Sequence, residues 1–71
     1  MSINRRLMTD TDFQEALDRC TRIRVFQDNQ IVDASSVIVR FDDRTVVTQS
    51  SVSDLMYHKR AECEFFDLRK K

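Results

Sequence analysis

The chain of 71 residues has no glycine, no proline and no tryptophan. Without glycine there is no phosphate-cradling loop of the P-loop or dinucleotide-binding type, because both need backbone free of a side chain at the close approach. Turns must instead be made by residues that tolerate left-handed backbone, with Asn and Asp the first choices. Histidine occurs once, as His58, and cysteine twice, as Cys20 and Cys63, with no CxxC pair. That donor set is too small for zinc, so neither metal nor cofactor is expected. No acid is placed to orient His58 against Ser50, Ser51 or Ser53, so the chain does not read as an enzyme. Charge of one sign is also lacking. Twelve basic and twelve acidic residues cancel, whereas a protein that holds nucleic acid mainly by charge shows a basic excess. Finally, there is no long apolar run: Arg5-Arg6 precede only Leu7-Met8 before polar residues resume. The expectation is no secretory signal, no membrane span, a cytoplasmic location and two reduced thiols.

What is present is concentrated between Val37 and Phe66. Val37-Ile38-Val39-Arg40-Phe41, Arg44-Thr45-Val46-Val47-Thr48-Gln49, Leu55-Met56-Tyr57-His58 and Ala61-Glu62-Cys63-Glu64-Phe65 are β-branched, aromatic or alternating runs. The polar turns between them are short, so successive strands should be antiparallel neighbours. Upstream, Ile23-Arg24-Val25-Phe26 alternates, Asp28-Asn29-Gln30 supplies a turn, and a further strand begins at Ile31. Ser35-Ser36 interrupts that strand and marks a bulge or bend, with some strain because glycine is absent. Before the strands, Thr11-x-x-Gln14 has the form of a capping box. Phe13, Ala16, Leu17 and Cys20 then follow at i, i+3, i+4 and i+7, which predicts one amphipathic helix over about 12–20. Residues 1–8 read as a frayed arm, 9–68 as one domain and 69–71 as a basic end. The fold class expected is mainly β with one N-terminal helix. A domain this small buries a limited core and gains from oligomerisation.

Several of these residues carry a family pattern. Phe41-Asp42 closes a bent second strand, Val46-Val47 sits in a third, and Tyr57-His58-Lys59 ends a fourth. Phe13-x-x-Ala16-Leu17-x-Arg19 and Ile23-Arg24-Val25-Phe26 with Asn29 and Ile31 lie upstream. In this the chain resembles the Hfq branch of the Sm-like RNA-binding proteins, over roughly residues 9–68. The resemblance implies a small, bent, five-stranded antiparallel barrel of SH3-like shape, closed into a homohexameric ring, and a role as RNA chaperone in post-transcriptional regulation. It implies that uridine-rich or adenine-rich single-stranded RNA is bound by Tyr57, His58, Lys59, Phe26, Ile31, Phe41, Asp43, Arg44 and Arg19, with Phe26 at the position that stacks purines. The departures are specific. Family glycines are missing, the Lys and His after the tyrosine are exchanged, and Asp10 and Asp43 stand where polar RNA ligands usually do.

Two functions follow as expectations. One is an Hfq-like single-stranded RNA-binding ring with altered or weakened specificity, in which protonation of His58 would tighten binding as the pH falls. The other is a ring of the same fold acting as a protein–protein interaction module with little RNA binding. In either, the apolar fourth and fifth strands would end an open sheet, and head-to-tail pairing between subunits would bury both. Each signal also has a plainer explanation: Tyr57 and Phe26 as core or interface residues, His58-Lys59-Arg60 as a solvated turn, and Cys20 and Cys63 as ordinary packing residues.

Overall fold

Alternating apolar residues between Arg22 and Asp67 form five strands, and a sixth comes from the arm. A computed structural model describes residues 5–51 and 54–68. In chain order the elements are β1 (Arg5–Leu7), α1 (Asp10–Asp18), β2 (Arg22–Gln27), β3 (Gln30–Phe41), β4 (Thr45–Ser51), β5 (Asp54–Lys59) and β6 (Glu64–Asp67). They make one open antiparallel sheet in the order β1-β6-β2-β3-β4-β5. Strands β2 to β5 are a meander, because each connection is short enough to force neighbours together. β6 then returns to the far side of β2.

The turns work without glycine in two different ways. At the β2–β3 hairpin Gln27 pairs with Gln30, and Asp28 and Asn29 both take positive φ, 54° and 64°. That is the two-residue hairpin geometry that matches strand twist, and Asp and Asn are the residues that tolerate it when glycine is missing. Gln30 belongs to the strand rather than to the expected three-residue turn. At the β3–β4 turn, the Asp42 carboxylate accepts the backbone N–H groups of Arg44 (2.8 Å) and Thr45 (2.7 Å). Those two bonds, first Arg44 then Thr45, hold the Asp42 carboxyl below its ordinary pKa. Arg44 therefore lies in the turn and β4 starts one residue later than expected.

The long strand β3 bends at three bulges. Ile23 faces Ser36 while Val25 faces Asp33, so Arg24 opposes both Ala34 and Ser35. Next to it Val25 faces Asp33 but Phe26 faces Ile31, leaving Val32 as an extra residue. Further on, Ile38 faces Thr48 and Arg40 faces Val47, leaving Val39 as the extra residue. The first bulge lies where Ser35-Ser36 predicted one. The expected strain does not: among the described residues without glycine, positive φ occurs at Cys20, Asp28 and Asn29 only. Ser36 is fully buried, so a small side chain is what that position demands.

The helix starts earlier and ends earlier than the apolar spacing predicts. Thr9, not Thr11, is the N-cap: its hydroxyl accepts from Asp12 N–H at 3.2 Å, and the Asp12 carboxylate returns a bond to Thr9 N–H at 3.1 Å. Asp12 also accepts from Met8 N–H, and these backbone bonds lower its pKa. Phe13 and Ala16 are buried and Leu17 half-buried, as the stripe requires. Cys20 is not on that stripe. It is exposed, at φ 51°, one residue past the C-cap Arg19. Its N–H bonds Leu17 O at 3.2 Å and Thr21 N–H bonds Ala16 O at 2.9 Å. This is the left-handed closing turn that glycine usually makes. A non-glycine residue there costs about 1–2 kcal/mol. Cys20→Gly is therefore expected to raise the unfolding free energy by about 1 kcal/mol, read as a higher urea midpoint at unchanged slope.

The core gathers Leu7, Phe13, Ala16, Ile23, Val25, Ile38, Val46, Cys63 and Phe65, with Leu17 and Phe41 packed against it. Leu7 belongs to the arm, so residues 5–7 are not frayed. Arg5, Arg6 and Leu7 pair with Asp67, Phe66 and Phe65 on β6. The last strand is also displaced: Ala61 and Glu62 form a turn, Cys63 lies before the strand, and β6 continues to Asp67. The expected alternation survives at Cys63 and Phe65, both buried, but not at Ala61, which is exposed.

Candidate interaction edge and nucleic-acid face

β5 is an edge strand, and its side chains alternate across the sheet. Its register with β4 sets Leu55 opposite Gln49, Met56 opposite Thr48, Tyr57 opposite Val47, His58 opposite Val46 and Lys59 opposite Thr45. Leu55, Met56 and Tyr57 are 51%, 39% and 65% exposed, an apolar patch on a strand with one side unpaired. An edge of this kind is normally blunted by lysine, proline or a bulge. Here Lys59 alone stands at its end, with an exposed ion pair to Glu62 at 3.8 Å. Val52 and Ser53, between β4 and β5, lie outside the described residues, as does the basic end at 69–71.

His58 faces the other way and is buried, 5% exposed. Its Nε2 lies 3.0 Å from the Thr48 hydroxyl, which in turn donates to Asp33 Oδ2 at 3.1 Å. Thr48 has one proton to give. Since it goes to Asp33, His58 Nε2 carries the hydrogen and donates to Thr48. The ring also meets Phe65 edge-on, with centroids 6.0 Å apart. Burial lowers the His58 pKa, partly opposed by Asp33, whose carboxylate is 3.9 Å from Nε2. The expectation of a solvent-facing imidazole for RNA is thus corrected. Alternation along β5 turns Tyr57 and Lys59 outward and His58 inward, where Asp33 and Thr48 give it polar partners.

The other expected RNA residues fall into separate groups. Phe41, Asp43, Arg44 and Lys59 come together, because Thr45 pairs with Lys59 and Arg60 N–H bonds Arg44 O at 2.8 Å. Phe41, however, is half-buried against the core, its ring 5.7 Å from Phe13. The neighbouring Arg60 is committed elsewhere. Its guanidinium lies 4.4 Å over the Phe13 ring, pairs with Asp10 at 2.6 Å and donates to Asp42 O at 2.8 Å. Sequence reasoning grouped Arg60 with the solvated basic run and missed this; no spacing marks it. Asp10, Asp43, Arg60 and Arg6 line a cleft of about 390 Å³ between arm, helix start and the β5–β6 turn.

Phe26 and Ile31 face each other across the first hairpin. Val25 points inward and is fully buried; Phe26 points outward, half-buried, its ring 5.5 Å from Phe66 edge to face. With Asn29 and Glu64 these two rings line an open hollow of about 330 Å³. Arg19 is exposed at the helix end, in a shallow depression with Gln14 and Asp18. Cys63 is buried, and burial first, then the carboxylates of Glu62 and Asp28, push its thiol pKa up, which makes it a poor nucleophile.

No known protein family, curated protein or solved structure matches the chain. The likeness to the Sm-like proteins rests on the residues quoted above. Among the described residues no helix is long and apolar enough to cross a membrane, and no group of three His, Cys, Asp or Glu is arranged to hold a metal ion.

Proposed function

We propose that the protein is a divergent Sm-like subunit whose main role is assembly through strand pairing. On this reading β2 to β6 are the five strands of the Sm-like core and β1 is an added arm. The partners are, first of all, further copies of the same chain arranged head to tail. The carrying observation is the open β5 edge with Leu55, Met56 and Tyr57 exposed along it. Main-chain bonds along such an edge supply affinity, and the alternate side chains supply specificity. The cancelled net charge and the buried His58 favour a protein-facing surface over one built for phosphate.

A second reading keeps single-stranded RNA as a ligand, at the hairpin face rather than at His58. It is favoured by the hollow between Phe26 and Phe66 with Ile31 exposed beside it, since aromatic faces stack bases without needing strong charge.

Native mass spectrometry and light scattering over a concentration series test the first reading. Oligomers are expected, and Leu55→Lys with Tyr57→Lys should abolish them while leaving the circular dichroism spectrum unchanged. Monomers at every concentration, with or without residues 1–8, would sink it. Titrating the same samples with adenine-rich and uridine-rich oligonucleotides decides the second reading. An affinity that falls in Phe26→Ala supports it, and no binding removes it.

A further inference from the structure

We infer that β1 is a resident occupant of the strand edge that an incoming β5 would use, so that release of the arm gates assembly. This rests on the strand-pairing role proposed above and concerns how that role is controlled. β6 lies between two neighbours, with Phe66 facing Arg24 of β2 on one side and Arg6 of β1 on the other. The expectation that the last strand ends the sheet is corrected by that arrangement. If β1 left, the outward backbone groups of Phe65 to Asp67 would lose their partners. An antiparallel strand from a second copy would then meet the same row of donors and acceptors that β1 satisfies now.

The hold of β1 on this edge is limited. It is three residues long, against six for β5. Only Leu7 reaches the core, at 4% exposed. Arg5 pairs with Asp12 and Glu15, and Arg6 with Glu64 at 3.9 Å, but both arginine side chains are about half exposed. Such pairs are screened by solvent and salt and hold little. β5 offers what the edge takes: a longer run of backbone and an apolar side chain, Leu55 or Tyr57, for the place of Leu7.

The two ends of the sheet also differ in a way that suits a gate. With Arg5 and Arg6 exposed, β1 blunts its own outer edge in the way natural edge strands avoid stray pairing. β5 carries no such protection along Leu55 to Tyr57. A subunit with one edge plugged and one open cannot extend head to tail until the plug is lifted.

The test locks and removes the arm in turn. In a Cys20→Ser background, Arg6→Cys with Phe66→Cys places two thiols at directly paired positions. Oxidation should tie β1 to β6 and lower the assembled fraction; reduction should restore it in the same sample. Removing residues 1–8 should tighten the apparent dissociation constant by about tenfold or more, the factor expected when the edge is free in a tenth of molecules or fewer. If deletion unfolds the domain because Leu7 is lost, the locked and reduced forms still give the answer. Equal assembly of locked and reduced protein overturns the gate and leaves strand pairing through β5 standing. Monomers in all forms overturn both.

Discussion

Phe13→Ala is expected to cost about 3–5 kcal/mol of unfolding free energy, the usual price of deleting a buried phenylalanine. Phe13 is 1% exposed and lies in the core cluster between the helix and the sheet. Its ring lies 5.4 Å from Phe65, edge to face, 5.7 Å from Phe41, and under the Arg60 guanidinium at 4.4 Å. The truncation leaves a cavity between α1 and the sheet and removes the nearer of the two rings under Arg60, whose guanidinium also lies 5.9 Å from the Phe41 ring. A domain of this length has about 4–11 kcal/mol of stability in total, so the variant should be partly or wholly unfolded near body temperature. Phe26→Ala, at a half-buried and outward position, is the control and should cost less. Urea denaturation followed by circular dichroism reads both. A loss under 1 kcal/mol at Phe13 would mean that the helix does not seal the core.

How much of this was legible beforehand depended on how local the cause was. The strand alternation at Ile23 to Phe26, a turn beginning at Asp28-Asn29 and an irregularity at Ser35-Ser36 all follow from neighbouring residues and are legible there; that Gln30 pairs with Gln27 and leaves the turn is not. The helix limits are ambiguous in the sequence because Thr9 and Thr11 both have the chemistry of an N-cap. What separates them is Asp12, which bonds back to Thr9 and Met8 and is itself tied to Arg5 of the arm. Cys20 fitted the apolar period, yet a helix closed by a left-handed turn at that residue cannot also present it to the core. The arm strand was invisible, because three residues reading Arg-Arg-Leu carry no period, and their pairing with Phe65 to Asp67 is a contact across the whole chain. At the candidate site, the sequence showed that Tyr57-His58-Lys59 is special but not which way it faces. Alternation alone allows either set inward. In the fold His58 is the one turned inward, where Thr48 and Asp33, 15 residues apart in sequence, give the imidazole polar partners that no local pattern announces.

That choice leads to the pH prediction, which runs opposite to a surface histidine tightening RNA binding on protonation. The groups packed around His58 are Asp33 from β3, Thr48 from β4 and Phe65 from β6. Burial lowers its pKa in the fold, so the unfolded chain, with the ordinary value near 6.5, takes up the proton first. The stabilisation due to neutral His58 is complete above that value. It is lost as the pH falls below 6.5 toward the folded pKa, with a slope of at most about 1.4 kcal/mol per pH unit for one proton. Asp12 and Asp42, whose pKa values are also lowered, lose their contribution only in the carboxylate range below this window. Urea midpoints measured between pH 7.5 and 5.5 should therefore decline, and His58→Phe should flatten the curve whatever it does to stability at neutral pH. Asp33 acts against burial, so Asp33→Asn should depress the His58 pKa further and carry the decline to lower pH. Thr48→Val should cost about 1–3 kcal/mol at pH 7.5, because it leaves the buried Asp33 carboxylate and the His58 N–H without the hydroxyl that joins them. An imidazole that titrates near 6.5 by NMR, with stability flat across the window, would place His58 in solvent and return Tyr57-His58-Lys59 to the RNA face.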